Sequence, residues 1–132
     1  MLSFTGSLKV YLAVEPCDMR KSFNGLYALA EGTLGADPKS GALFVFCNRR
    51  RNRIKLLYHD GTGLWVAAKR LEAGTFSWPK RQREDEKRLR LTPEALALLT
   101  DGIDLRGARL REWYRREEGG DSFFSPFGKK SG

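Results

Sequence analysis

Four arginines stand within five residues, Arg49, Arg50, Arg51 and Arg53, with Asn48 and Asn52 among them. Apolar stretches flank them on both sides: Leu-Phe-Val-Phe-Cys at 43–47 and Ile-Lys-Leu-Leu-Tyr at 54–58. Guanidinium groups gathered at one hairpin tip repel one another, so folding does not ask for them there. Contact with a polyanion does. No acid stands between Asp37 and Asp60, whereas Lys39, the four arginines and Lys55 do. The chemistry these residue types support is phosphate-backbone contact, which carries affinity rather than base sequence.

A second rank of cations lies outside the loop. Asp18 stands where a helix N-cap belongs, and Arg20 and Lys21 then fall in the first turn, a position the helix dipole disfavours for cations. Free amides with two cations would make an anion pocket. Lys69 and Arg70 end a strand-like run that begins Leu64-Trp65-Val66. Alternation puts Lys69 with Trp65 and Ala67, and Arg70 with Val66 and Ala68. The expectation for Trp65 is a core residue.

Catalytic groupings are weaker. His59-Asp60 is followed by Gly61-Thr62-Gly63, which reads as a turn. Asp18, Asp60 and Asp104 with Glu112 have the residue types of a two-metal centre. Each acid nevertheless has a capping or turn explanation, and no nucleophile-elbow, zinc-protease or phosphate-loop pattern is present. The expectation is no catalytic residue, no metal ligand and no cofactor.

The elements that must position these cations follow from pattern. Residues 8–14 alternate as a strand up to Pro16. Met19, Phe23, Leu26, Tyr27 and Ala30 recur at helical spacing, predicting a helix over 19–31. Segments 43–48 and 54–59 predict an antiparallel hairpin with the arginines at its exposed tip. Asp60-Gly61 supplies the next turn into a strand over 64–72, and Thr75–Trp78 reads as a short strand stopped by Pro79. Residues 80–90 carry nine charges and read as an exposed loop, with Leu89 and Leu91 suited to a last edge strand. Thr92-Pro93-Glu94 opens a short helix over 93–100. The sum is a single α+β domain over 1–118: an antiparallel meander of about five strands, both helices on one face, and a disordered tail over 119–132. Trp113 and Tyr114, among Arg109, Arg111, Arg115 and Arg116, form a basic aromatic segment whose docking the sequence leaves open.

Composition bounds the partners. The 132 residues carry a net charge of +8, with 41% apolar residues, so the chain supports a real core and favours anionic partners. No run of apolar residues is long enough to span a bilayer, and the N-terminus lacks the pattern of a secretory signal. Cys17 and Cys47 lack metal-site spacing and suit buried thiols in a reducing cytoplasm.

These segments together resemble a known family. Asp18-Met19-Arg20-Lys21-Ser22-Phe23-Asn24-Gly25-Leu26 resembles its DMRKGFDGL signature. Phe44-Val45-Phe46 resembles its LFVF strand. Ile54–Leu64 resembles IKVLWHDGxGL, followed by Lys69-Arg70-Leu71-Glu72 and by Phe76, Trp78 and Pro79. Leu99–Asp104 resembles its closing LLEGIDW, with Leu105 where the family usually has Trp. The family is that of the small accessory protein, from the second reading frame, of the bacterial insertion-sequence family numbered 66. The resemblance runs over about residues 5–116. It implies a non-catalytic role in DNA transposition beside a separate, larger transposase. Joined to the basic surface, it predicts a DNA-binding accessory factor that meets element ends or any duplex. Arg49, Arg50, Arg51 and Arg53 would lead, and Arg20, Lys21, Lys55, Lys69 and Arg70 would follow. The alternatives are a protein adaptor for the transposase and a small metal-dependent nuclease.

Overall fold

The computed structural model describes residues 8–81 and 83–101 in full, and the backbone of two short strands at Tyr114–Arg115 and Phe123–Phe124. Apart from that backbone, the expectations for Asp104, Glu112, the 109–116 segment, the domain boundary at 118 and the 119–132 tail lie outside the described residues.

The fold is α+β, built on a mixed, mostly antiparallel sheet. Its five main strands are β1 (Val10–Ala13), β2 (Leu43–Cys47), β3 (Arg53–His59), β4 (Leu64–Arg70) and β5 (Arg88–Leu91). The short strands are β6 (Tyr114–Arg115) and β7 (Phe123–Phe124). The order across the sheet is β4-β3-β2-β1-β5-β7-β6. The expected hairpin is present: β2 and β3 pair antiparallel from Leu43↔Tyr58 to Cys47↔Ile54. The sheet is not a simple meander, because β1 runs parallel to β2 and antiparallel to β5. A parallel neighbour requires a long crossover, and residues between Val14 and Ala42 provide it. Both β1 and β2 are buried at every position. Continuous apolar runs of this kind mark interior strands covered on both faces.

The two helices therefore lie on opposite faces, not on one. The crossover helix α1 (Phe23–Ala28) runs on into a wider turn over Leu29–Thr33. Leu26, Ala30 and Leu34 pack there with Tyr11, Ala13, Phe44, Phe46 and Leu57. The second helix, α2 (Pro93–Thr100), sets Ala95, Leu96 and Leu99 against Val10, Leu12, Leu43, Val45, Leu89 and Leu91. Thr92 caps α2, its hydroxyl accepting from the Ala95 N–H at 3.1 Å. At the other helix Asp18 is not the cap. Its carboxylate accepts from the Arg20 N–H at 2.9 Å and the helix starts only at Phe23, because a local side-chain turn competes with capping. Gly35, at φ 64, ends the helical part of the crossover and lets the Ala36 N–H reach back to the Ala30 carbonyl at 3.0 Å.

Two further expectations change. Phe76 to Trp78 is buried but forms no strand. The Trp78 indole N–H donates to the Ala13 carbonyl at 3.0 Å, which closes the end of β1. Residues 88–91 belong to a strand flanked on both sides, and Glu86 within the charged stretch is 5% exposed.

Phe44 is fully buried while Phe23 is 46% exposed. Phe44→Ala is expected to cost about 3–5 kcal/mol in urea unfolding and Phe23→Ala no more than about 0.5 kcal/mol. Equal losses would show that the sheet face under α1 is not packed as described.

Candidate nucleic-acid interface

The tip between β2 and β3 is tightly built. The Asn48 side-chain oxygen accepts from the Asn52 and Arg53 N–H groups, both at 3.0 Å, and its amide donates to the Asn52 side chain at 2.7 Å. Arg51 lies at φ 61, a left-handed conformation uncommon outside glycine, asparagine and aspartate. Its Nη1 donates to the Cys47 Sγ at 2.9 Å, and its guanidinium lies 5.7 Å from the Trp78 ring centroid. Its carbonyl accepts from the Phe76 N–H at 2.7 Å. Arg51 therefore ties the tip to the 76–78 segment. Burial pushes the Cys47 thiol up to about 11, although Arg51 pulls it down.

The other tip cations point outward. Arg49, Arg50 and Arg53 are exposed. The register places Arg53 directly opposite Arg70, and Lys55 opposite Ala68, on the face that carries α1. Arg53, Lys55, Lys69 and Arg70 line one hollow of about 330 Å³ together with Met19, Ile54 and Ala68. Among the described residues, Arg49, Arg50, Arg53, Lys55 and Arg70 form no ion pair. Like charges directly opposite in a ladder cost free energy, and no acid here offsets it.

The remaining predicted cations are placed differently. Arg20 holds Asp18 in a two-pronged pair with a shortest contact of 2.7 Å, and that pairing keeps the Asp18 carboxyl at about 2. It precedes α1, so the expected anion pocket in a first helical turn does not form. Lys21 is exposed, and its backbone carbonyl accepts from Lys55 Nζ at 2.8 Å. Lys69 lies on the opposite face from Arg70 and donates to the Thr100 carbonyl at 2.7 Å. A cation suits that end of α2, where unpaired carbonyls carry partial negative charge.

The acids have local tasks. Asp60 Oδ1 accepts from the Thr62 and Gly63 N–H groups and the Thr62 hydroxyl, and Oδ2 accepts from the Trp65 indole N–H at 2.8 Å. These donors hold its carboxyl well below the usual carboxylate range. Among the described residues no three His, Cys, Asp or Glu side chains are grouped to hold a metal ion. Trp65 is 46% exposed, not core, because β4 lies at the sheet edge. Sequence reasoning missed the Asp60–Trp65 contact and the inward Arg51. Their available signals were an acid five residues before a tryptophan across a glycine turn, and an arginine enclosed by two asparagines.

With this geometry in place, comparison with known proteins decides the family. The profile of the family described as IS66 Orf2 like protein matches residues 8–110. The chain belongs to this family. Among relatives, the uncharacterized protein y4jC of Sinorhizobium fredii (strain NBRC 101917 / NGR234) is 36% identical over 104 residues, covering 79% of this chain and 86% of the relative. The uncharacterized protein y4hO of the same strain is 33% identical over 106 residues, covering 80% and 90%. No solved structure matches the chain. The IS66 Orf2-like match covers β1 to β5 and both helices, so the cation ladder and the tip lie wholly within the family domain. No helix among the described residues is long and apolar enough to cross a membrane.

Asp60 orients Trp65, so indole emission should report its titration. A group with a depressed folded pKa keeps its contribution above the ordinary value near 3.9 and loses it as pH falls through the lowered one. Acid titration of the Trp65 signal, taken as the difference from a Trp65→Phe variant, is expected to show a midpoint clearly below 3.9. In Asp60→Asn that transition disappears. A midpoint at the ordinary aspartate value would break the proposed contact.

Proposed function

We propose that this IS66 Orf2-like chain is a non-catalytic accessory factor of DNA transposition that grips duplex backbone. Arg49 and Arg50 at the tip and Arg53, Lys55 and Arg70 on the ladder would make the phosphate contacts, with Lys21 nearby. The observation that carries this reading is the Arg53–Arg70 pair. Two exposed guanidinium groups face each other across neighbouring strands, with Lys55 beside them and no ion-pair partner among the described residues. A fold that only needed a soluble surface would place an acid at one of these positions; a phosphate relieves the repulsion equally well. The surface is a strand ladder and a hairpin tip, which suits backbone contact better than reading of base edges. The same element's transposase is the second macromolecule implied by family membership, and it would supply the chemistry.

The adaptor reading draws on one observation. Leu8, Leu56, Pro93, Leu96, Ala97 and Thr100 line a mostly apolar hollow of about 320 Å³ beside α2, away from the cation ladder. A protein partner suits that surface better than DNA does. The nuclease reading receives no support from Asp18 and Asp60, whose carboxylates are engaged in their own turns.

The test is fluorescence-anisotropy titration of element-end and random duplexes at several salt concentrations. Changing Arg49, Arg50, Arg53 and Arg70 together to Gln is expected to flatten the log–log salt slope by up to about 3.6, at about 0.9 per lost contact. Both duplexes should weaken alike. Arg51→Gln is expected to do the reverse, lowering the melting temperature while leaving the slope intact. An unaltered slope in the quadruple variant would move the function to the adaptor reading.

A further inference from the structure

The two edges of the main sheet are treated differently. The β5 edge is covered, since Arg90 and Leu91 pair with Phe123 and Phe124 of β7. At the other end β4 has β3 on one side and, among the described residues, no strand partner on the other. Its seven residues keep unbroken register with β3 from Arg53↔Arg70 to His59↔Leu64. It carries no proline and no bulge, devices that usually blunt an open edge.

The outward groups can be assigned. Asp60 N donates to the Gly63 carbonyl, and Leu71 N donates to the Asn52 carbonyl. Bonded residues alternate along an antiparallel ladder. Gly63, Trp65, Ala67, Lys69 and Leu71 therefore aim their backbone groups at β3. Leu64, Val66, Ala68 and Arg70 aim theirs outward.

From this pattern we infer that β4 is the homodimerisation edge, pairing antiparallel with β4 of a second copy about a two-fold axis through Ala67. This goes beyond the DNA-binding reading and does not depend on it. Full overlap of the two strands sets Leu64 against Arg70, Val66 against Ala68, and Trp65 against Lys69. Every outward N–H then meets an outward carbonyl of the other copy. Trp65 and Lys69 meet in the non-bonded pairs, where side chains approach most closely. Their contact forms twice, an ammonium stem against an indole. It covers a tryptophan that is 46% exposed in the single chain and already oriented by Asp60. Ala67, exposed and small, meets its own copy on the axis. Charge selects the direction. Parallel pairing would stack Lys69 and Arg70 on their copies, whereas antiparallel pairing sends them to opposite ends. The axis stands perpendicular to the sheet, so both Arg53–Arg70 hollows emerge on the same face of a continuous sheet.

The experiment is sedimentation velocity on the full chain without DNA, with a crosslinking arm. At tens of micromolar the wild-type chain is expected at twice its 15.0 kDa mass. Ala67→Lys, which places two ammonium groups on the axis, is expected at the single-chain mass with a cooperative unfolding transition retained, at a melting temperature lowered only by the lost association. Ala67→Cys is expected to form an intermolecular disulfide on mild oxidation. Ala68→Cys, one step off the axis, is expected not to, since paired cysteines need Cα atoms within about 7 Å. The parent chain controls for Cys17 and Cys47. A wild-type chain that stays at single-chain mass overturns the inference. So does a dimer that survives Ala67→Lys without crosslinking through Ala67→Cys. In either outcome the edge is left for another strand, such as one from the transposase.

Discussion

The structure depends on one strand that cannot face water anywhere. Val10 to Ala13 is buried on both faces and paired along both edges. Burying both faces needs a layer above and a layer below, and among the described residues α1 and α2 supply them. The first must arise between β1 and its neighbour, which makes β2 parallel. The second follows β5, which closes the far edge of β1. Once β1 and β2 occupy the interior, β3 and β4 fall to the outside. Their cations then have solvent on one side and an apolar sheet on the other, the setting in which a charge array is both exposed and rigid.

Rigidity at the tip comes from one of the four arginines being withdrawn. Arg51 is turned inward by a left-handed backbone and held by the Cys47 sulfur and the Trp78 ring. Its charge is spent on the loop and not on the surface. The three that remain outside gain from this. A hairpin whose tip is tied to a neighbouring segment presents its guanidinium groups with less conformational entropy left to lose on contact. Cys47, buried and bonded to Arg51, is thereby a structural thiol, not a reactive one.

Much of this was legible from residue order, and the failures share a cause. The β2–β3 hairpin, the Asp60 turn and the Thr92-Pro93 helix start are local, so composition and spacing expose them. The family signature was legible in the same way. What was not legible was which strands become neighbours. Val10–Ala13 and Leu43–Cys47 read as strands, but nothing in either states that they run side by side in parallel. From that gap came the meander and the helices on one face. Trp65 and Trp78 show the same limit: both are large and apolar, yet one sits at the sheet edge and the other plugs the end of β1. Asp18 misled for a different reason. Its side chain serves a turn two residues on as readily as a helix cap, and the five residues before Phe23 took the turn.

The central position of β1 has a consequence for synthesis on the ribosome. Its parallel partner β2 follows within the first half of the chain, but its antiparallel partner waits for Arg88–Leu91. At about 5–20 residues per second, the interval between Val10 and Leu91 leaving the ribosome is about 4–16 seconds. During that time β1, an apolar strand destined for burial on both faces, has an edge unsatisfied, as an open template for any other chain. The two local units, the β1–α1–β2 crossover and the β2–β3–β4 run, are complete before then, and they hold the template in shape while it waits.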